Sequence, residues 1–361
     1  MIKILVVSHD AGGGNILSSL IKKYHRNFNW ITCVSGPAKK IFLKNRINLL
    51  ADQISFKYKD IKSVLGFSKP DLILTSTSWE SDFDINFIRE ARKNNIKTSS
   101  FLDHWCNYKE RFDYPANWKK NLPDFIFVGD KWAYKIALKN GFPQKKLLQV
   151  ENPYLEEIFK QSKKTKWKKK NDDNKIRMLY VSQPVFSHAK KKYKNPNYWG
   201  YTEYKIIDDL LKILNQNTTE TQLKLKIRLH PSEDINKYSN LLRNQKYSKI
   251  KKFIAISNPA KNPLVKDCCW ADAVIGSGSM ALVIAHLLGK KAISYMPTDK
   301  KINFLKQKYS LPPKGIKKIY SRKALLEEIK RFKKKPWPKI RRPNIFFKKK
   351  LFAKAVSNIC P

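Results

Sequence analysis

The sequence predicts an α/β protein of two similarly sized domains, each with helices packed around an open parallel sheet. Short apolar runs alternate with helix-period segments over residues 1–160, and the alternation resumes over 176–316. Between the halves, residues 161–175 are rich in lysine and lose the apolar pattern, which predicts a basic linker. A chain of 361 residues is long enough for two domains that each bury a core.

The individual elements follow from buried runs and helical periodicity. In the first half the predicted strands are 2–7, 30–34, 53–56, 70–77, 98–102 and 123–129, and the predicted helices are 16–24, 38–45, 84–93 and 131–140. In the second half the predicted strands are 177–181, 223–229, 254–257, 273–275 and a last one within 290–297, with helices at 204–214, 236–242, 263–270 and after residue 279. This order is typical of doubly wound sheets.

Charge is the most unusual bulk property, because 74 Lys and Arg residues outweigh 29 Asp and Glu residues, for a formal charge of +45. A nucleic-acid or anionic-membrane partner is one explanation, and a lysine-rich composition of solvated loops is the other. Lysine is spread through every loop, which argues against nucleic acid as the partner.

The segment 317–361 joins basic residues to Trp and Phe, which suits an anionic membrane surface. The alternative is a final helix that packs its Phe, Leu and Ala face on the protein. No apolar run reaches the roughly 18 residues of a membrane span, and the five cysteines lack C-x-x-C spacing. We therefore expect a cytoplasmic protein without a zinc site, and a peripheral contact with the inner face of the membrane through 317–361 is the open alternative.

A Gly-Ser turn stands between a buried strand and an apolar helix, as Gly276-Ser277-Gly278-Ser279. The glycines let the backbone approach a ligand, and a serine together with the first N–H groups of the helix is able to hold a phosphate. The plainer interpretation is a tight turn with an ordinary helix cap.

Two further strand ends of the second half carry polar groups. Arg228-Leu-His230-Pro231 ends the strand 223–229, and its histidine is placed to donate to a phosphate or to titrate near neutrality. Gln183, which follows the strand 177–181, and His188 are candidates for the same ligand site.

Two strand ends of the first half carry candidate acids and bases. His9 and Asp10 follow the first strand and lead into three glycines, Gly12, Gly13 and Gly14, which would admit a ligand or form a simple turn. Asp103 and His104 follow the strand 98–102 within a dense polar and aromatic run that ends at Phe112. Such a run after a buried strand favours a functional loop.

These motifs together resemble the GT-B glycosyltransferase superfamily, in the branch that contains UDP-N-acetylglucosamine 2-epimerases and bacterial sialyl-, polysialyl- and Kdo-transferases. The resemblance implies two Rossmann-like domains facing a cleft. It implies that 176–316 binds a nucleotide sugar and that 1–160 binds the acceptor and supplies the base. The implied phosphate ligands are Arg228, His230, Ser277, Gly278 and Ser279. The implied base is one of Asp10, Asp103 and His104, with His9, Gly12, Gly13, Gly14, Gln183 and His188 near the acceptor or cleft.

One position departs from this pattern. Many relatives carry a glutamate in the helix after the turn, just before an alanine, to hold the ribose, whereas this chain has Ile284 before Ala285. An isoleucine cannot accept hydrogen bonds from ribose hydroxyls, so the resemblance to the epimerases is weakened at this point.

The resulting hypothesis is a metal-independent glycosyltransferase with no cofactor beyond its substrate, a nucleotide sugar. The sugar would move to a cell-surface polysaccharide or a lipid-linked acceptor, with a base acting on the acceptor hydroxyl and His and Arg donors stabilising the departing phosphate. Two alternatives remain: a UDP-sugar epimerase or hydrolase, and a non-catalytic basic scaffold that binds anionic polymer or membrane.

Overall fold

The structure is a computed structural model of the chain. It describes residues 1–49, 61–78, 81–116, 118–165, 176–216, 223–298, 300–308, 311, 315–334 and 351–361. The chain divides into two compact units, Met1–Glu157 with Asn344–Pro361 and Ile158–Pro343. Each unit holds one six-stranded sheet in which the strand pairs are parallel.

In the first unit the strand order is β2-β1-β3-β4-β5-β6. The strands are β1 (Lys3–Ser8), β2 (Asn29–Val34), β3 (Leu72–Thr75), β4 (Lys97–Leu102), β5 (Phe125–Val128) and β6 (Leu147–Gln149). The helices are α1 (Ala11–Lys23), α2 (Gly36–Lys44), α3 (Ile61–Ser68), α4 (Phe83–Lys93), α5 (Lys131–Lys139), α6 (Pro153–Lys164, which crosses into the second unit) and α14 (Leu351–Ile359).

Alternation along β1 shows why helices cover both faces of this sheet. Ile4 and Val6 point to the core that contains residues of α1 and α14. Leu5 and Val7 point to the opposite core, which contains residues of α3 and α4. Because successive strand residues face opposite sides, an uninterrupted apolar strand requires cover on both, and the predicted doubly wound sheet follows.

In the second unit the strand order is β12-β11-β10-β7-β8-β9. The strands are β7 (Ile176–Val181), β8 (Leu223–Arg228), β9 (Ile254–Ser257), β10 (Ala273–Gly276), β11 (Lys291–Tyr295) and β12 (Lys317–Ile319). The helices are α7 (Val185–Tyr193), α8 (Glu203–Gln216), α9 (Ser239–Arg243), α10 (Leu264–Trp270), α11 (Met280–Leu287), α12 (Ile302–Lys308) and α13 (Arg322–Lys334). The prediction of two Rossmann-like units is confirmed.

The predicted elements match the structure better at strands than at helices. The helix expected from residue 16 begins at Ala11, so the three glycines lie inside α1 and form no loop. Helices α3, α6, α7 and α12 and strands β6 and β12 were not predicted, and α9 is shorter than the expected 236–242 helix. The expected strand 53–56 and residues 166–175 of the expected linker lie outside the described residues, while 161–164 continue α6.

The C-terminal segment divides differently from the predicted tail of 317–361. Lys317–Ile319 pairs with β11 as an edge strand, and α13 follows it in the second unit, because Leu325 and Ile329 bury in that core. Helix α14 instead belongs to the first unit, where Phe352 is fully buried. Within the described ranges no helix is both long and apolar enough to cross a bilayer.

Candidate functional site

Each sheet has one point at which the strand order changes direction. In the second unit the chain moves from β7 to β8 on one side and from β10 to β11 on the other, so the loops after β7 and β10 diverge. In the first unit the corresponding point lies between β1 and β3. Ligands of open α/β sheets bind at the carboxyl ends of strands at such points. The predicted loop after β1 lies at the point in the first unit, and the predicted loops after β7 and β10 lie at the point in the second unit.

The turn after β10 presents donors to a ligand. Ser279 caps α11, since its hydroxyl accepts the N–H of Ala281 at 3.2 Å. Gly276 lies so close to Val181 that a side chain at this position would collide with it. Ser277 is buried, and its carbonyl accepts a hydrogen bond from Ser294 at 2.5 Å. These contacts fix the turn at the N-terminus of a helix, where free N–H groups favour an anion.

An acceptor oxygen already lies on this turn. Gln183 Oε1 accepts the N–H of Gly278 at 3.0 Å and the hydroxyl of Ser277 at 2.5 Å. The glutamine comes from the loop after β7, so its side chain spans the point where the two loops diverge. Two donors that converge on one oxygen are the arrangement that a phosphate oxygen requires.

His230 stands at the end of the neighbouring strand β8 in a defined state. Its Nδ1 accepts the Ser232 N–H at 3.3 Å and lies 2.7 Å from the Ser232 hydroxyl. Burial lowers the pKa of His230 from 6.5 to about 4, and His188 and Lys237 also lower it while Glu233 opposes them. The ring is therefore neutral at pH 7, and with Nδ1 as acceptor its proton lies on Nε2.

Arg228 takes part in a buried ion pair, so its guanidinium already has partners within the protein. Its Nη1 donates to Asp267 Oδ2 at 2.7 Å and to the Asn262 carbonyl at 2.7 Å. Asp267 also accepts bonds from Ser257 at 2.6 Å and from Lys226 at 3.2 Å. This arginine ties β8 to the segment before α10, and its predicted phosphate contact stays a prediction.

In the first unit the glycines bring α1 against the strand ends. A side chain at Gly12 would collide with the Asp103 carboxylate, and one at Gly13 would collide with Ser76 at the end of β3. Ser8 donates to Ser76 at 3.0 Å, which joins the ends of β1 and β3. The glycines therefore serve close packing between a helix N-terminus and two strand ends.

Two of the predicted site residues of this unit, His9 and Asp10, form a partly exposed polar pair. His9 Nδ1 lies 2.7 Å from Asp10 Oδ1, and the two side chains are 26% and 23% exposed. A carboxylate at Nδ1 fixes the orientation of the ring, whose Nε2 edge lies close to Gly36.

Asp103 is buried and bound by its own loop. Its Oδ1 accepts Arg111 at 2.6 Å and Thr77 at 3.2 Å, and Arg111 also donates to the Thr77 carbonyl at 2.8 Å. Burial raises the pKa of Asp103, and Arg111 partly opposes that rise. The ion pair explains why the loop after β4 folds back on the end of β3. The neighbouring His104 is partly buried, with its ring 5.9 Å from that of Trp105.

Asp84 was not predicted to belong to the site, and it is a buried acid of the first unit whose pKa is strongly raised. It lies in the first turn of α4, is 2% exposed, and accepts the Ser76 hydroxyl through Oδ2 at 2.9 Å. Among the described residues its Oδ1 has no hydrogen-bond partner. Burial raises the pKa of Asp84 to about 8, with smaller contributions from Asp10 and Asp103. The side chain is thus a neutral acid at pH 7.

The structure sorts the predicted site residues into two groups, one in each unit. In the second unit Gln183, Ser277, Gly278 and Ser279 come together, and His230 lies one strand away, close enough to His188 for that histidine to affect its pKa. In the first unit His9 contacts Asp10, and Gly12 contacts Asp103. Residues that sequence reasoning missed are Ser76, Asp84 and Lys237, whose side chains contact their neighbours from largely buried positions.

Comparisons with solved structures agree with this architecture. The UDP-GlcNAc 2-epimerase of Neisseria meningitidis, bound to UDP-GlcNAc, matches with a TM-score of 0.65 and 13% identity over 99% of each chain. The Methanocaldococcus jannaschii UDP-GlcNAc 2-epimerase, in complex with UDP-GlcNAc and UDP, gives a TM-score of 0.66 and 14% identity over 99% of each chain. The Anabaena protein HepE, in complex with UDP and glucose, gives 0.56 and 10% over 100% of this chain and 95% of that one.

No family model matches the chain, and no curated protein matches it. At 10–14% identity these likenesses establish the fold. The resemblance to the superfamily of GT-B glycosyltransferases and UDP-N-acetylglucosamine 2-epimerases is therefore confirmed at the level of fold.

Proposed function

We propose that this chain is an enzyme that binds a nucleotide sugar at the turn after β10 and breaks the bond between the sugar and its phosphate. The observation that carries the proposal is the pair of donors on Ser277 and Gly278, which meet at one oxygen at the start of α11. His230 would add a neutral Nε2–H from the end of β8, which is separated from β10 by β7. Donors fixed in advance around a leaving phosphate stabilise the charge that develops on it.

For the reaction we favour epimerase-like or hydrolytic cleavage of a UDP-N-acetylhexosamine. The support is the similarity to two UDP-GlcNAc 2-epimerases over 99% of every chain compared. Ile284 is 1% exposed, in the core, so a ribose would need a partner outside this position of α11. In hydrolysis the sugar-phosphate C–O bond breaks with its electron pair on the phosphate oxygen, whose charge the donors above stabilise, while water forms the new bond to the sugar carbon and releases a proton to solvent.

Glycosyl transfer is the second candidate, and the His9–Asp10 pair favours it. A ring oriented through Nδ1 is suited to take a proton from an acceptor hydroxyl. The acceptor would be a surface glycan or a lipid-linked sugar. Any membrane contact through the C-terminal segment would exclude Phe352, which is buried, and residues 335–350 lie outside the described residues.

A nucleotide-sugar panel tests the proposal and separates the two reactions. The purified protein is incubated with UDP-, CMP- and GDP-sugars, with and without glycan acceptors, and nucleotide release is followed by chromatography while proton NMR identifies the sugar product. Release of UDP without acceptor supports hydrolysis, a UDP-sugar with an inverted sugar carbon in the NMR spectrum supports epimerisation, and release of UDP that requires an acceptor supports transfer. No nucleotide binding by calorimetry would contradict both.

His230→Ala is expected to lower the rate of nucleotide release by about 10- to 50-fold, because one donor to the leaving phosphate is lost. His230→Gln, which keeps an N–H donor, is expected to retain more activity. Because the pKa of His230 is about 4, the ring should cause no activity step between pH 5.5 and 8. The matched control is His25→Ala, since His25 is exposed in the first unit. Equal activity of the two alanine variants would contradict the assigned role.

Gln183→Ala is expected to strengthen UDP binding by roughly three- to tenfold. In the wild type the Gln183 amide oxygen accepts hydrogen bonds from two donors, and a phosphate has to displace this oxygen in order to bind them. Calorimetric titration with UDP measures the dissociation constant. Gln245→Ala, at an exposed position, is the control and should bind as the wild type does. Weaker binding by Gln183→Ala would show that the glutamine itself contacts the ligand.

A further inference from the structure

A chain of buried polar side chains lies behind the turn at the end of β8. Its central residue is Glu233, which is three positions after His230. The other members come from the loop after β7, from α8 and from the segment before α9. They are Ser182, Glu203, Lys237 and Tyr238.

Glu233 closes a reciprocal turn with His230. Its Oε2 accepts the backbone N–H of His230 at 2.8 Å, and its own N–H donates to the His230 carbonyl at 3.0 Å. Pro231 follows the histidine and has no N–H that would compete. The glutamate reaches back three residues to a backbone N–H, as in a helix capping box, although residues 231–233 form a turn and not a helix. It fixes the backbone from which the His230 ring projects.

The other oxygen of Glu233 reaches the loop after β7. Oε1 accepts the hydroxyl of Ser182 at 2.9 Å, and that hydroxyl also lies 2.5 Å from the Tyr238 hydroxyl. Ser182 immediately precedes Gln183, whose side chain lies on the turn after β10. One carboxylate therefore binds the backbone of His230 after β8 and the side chain of Ser182 after β7.

A lysine binds the same carboxylate. Lys237 Nζ donates to Glu233 at 2.6 Å and to Glu203 at 2.5 Å, and Glu203 in turn accepts the N–H of Phe186 at 2.8 Å. Burial alone would lower the pKa of Lys237, but its bonds to the two glutamates raise it. An ammonium between two carboxylates makes their charge tolerable in a buried place.

We propose that Glu233 is a positioning residue that holds the His230 ring in place for the phosphate of the nucleotide and fixes the loop after β7 beside it, an inference that rests on the proposed function. Glu233 does not touch the ligand. It acts through the backbone of His230 and through Ser182, so its loss should weaken binding while the donors themselves remain present.

Glu233→Gln tests this, with Asp234→Asn as the control. The control makes the same change of charge at the next residue, which is exposed. Glu233→Gln is expected to raise the dissociation constant for UDP about tenfold and to speed hydrogen exchange of the His230 amide, because a charged acceptor becomes a neutral one. Asp234→Asn should stay within about twofold in both. Glu233→Asp, too short to reach both partners, should retain one bond and fall between.

The outcomes separate this inference from the proposed function. UDP affinity within twofold of the wild type in Glu233→Gln, or an unchanged exchange rate at His230, would overturn the positioning role. A wild-type protein that binds no UDP would overturn the proposed function, and the exchange rate at His230 would still decide whether Glu233 fixes that backbone. If Glu233→Gln does not fold, Ser182→Ala removes one of the bonds with little loss of volume and should raise the dissociation constant by about threefold.

Discussion

Phe352→Ala is expected to lower the free energy of unfolding of the first unit by about 3–5 kcal/mol, the usual cost of deleting a fully buried aromatic ring. The ring is 0% exposed. Its centroid lies 5.5 Å from Tyr24, 6.1 Å from Phe28 and 5.4 Å from Phe127. Alanine would leave a cavity among these rings, and α14 would lose its main contact with the sheet.

A buried glutamate adds to the attachment of α14. Glu151 accepts the N–H of Phe352 at 2.9 Å, and the Tyr24 hydroxyl donates to the same carboxylate. The helix is thus held at its first turn by a residue 201 positions earlier in the chain. This explains why the C-terminal segment belongs to the first unit.

Chemical denaturation followed by circular dichroism measures the effect of Phe352→Ala. Phe67→Ala is the matched control, because Phe67 is 65% exposed and should change stability by no more than about 0.5 kcal/mol. A loss below about 1 kcal/mol for Phe352→Ala would mean that α14 is not part of the stable core of the unit.

The sheets were predictable because strand periodicity is a local property. The run 2–7 reads as a strand buried on both sides, and β1 has cores on both faces. The pattern of Phe352, Val356 and Ile359 likewise indicates a helix with one apolar face. Which surface that face covers depends on contacts with residues far away in the sequence, so the choice between protein and membrane was left open.

The candidate site was predictable where a backbone constraint is visible in the sequence. Gly276 and Pro231 mark a tight turn and a strand end, and these placed Ser277 and His230 correctly at strand ends. The hydrogen-bond partners of a side chain leave no comparable pattern in the sequence. Asp267 lies in a different element from Arg228, and only the folded chain shows that the arginine is bound to it.

The glycines after β1 show most directly the limit of prediction from local sequence patterns. Three consecutive glycines predicted a loop, yet they form the first turn of α1. Glycine is a poor helix former, but here the absence of side chains at positions 12 and 13 lets the helix approach Asp103 and Ser76. Tertiary packing overrides the local preference, and it also brings Asp84 to Ser76.

Asp84→Asn is expected to stabilise the first unit at neutral and mildly alkaline pH. The folded-state pKa of Asp84 is about 8, against a usual 3.8, because burial disfavours the ionised form. Asparagine has nearly the same shape and can still accept the Ser76 hydroxyl. It stays neutral at every pH, so the cost of holding an acid protonated in the folded state disappears.

The direction of the pH effect follows from proton binding. Below about pH 4 the carboxyl is protonated in both the folded and the unfolded state, so it adds no pH dependence. Between pH 4 and pH 8 the folded state keeps a proton that the unfolded state has released, and the stability of the wild type falls by up to about 1.4 kcal/mol per pH unit. Above pH 8 both states are ionised, and the contribution becomes constant. The gain from Asp84→Asn should therefore be small at pH 4 and on the order of 5 kcal/mol at pH 8.

Denaturation curves at pH 4.5, 6 and 8 for the wild type and Asp84→Asn measure this slope. Asp82→Asn is the control, because it makes the same substitution at an exposed residue just before α4 and should give a difference that does not grow with pH. A pH-independent difference for Asp84→Asn would mean that Asp84 is ionised in the folded protein. An increase with pH would establish a neutral acid beside Ser76, at the strand ends where His9 and Asp10 also lie. If Asp84→Asn is more stable but slower in the proposed nucleotide release, the stability that the wild type loses by burying this acid serves its function.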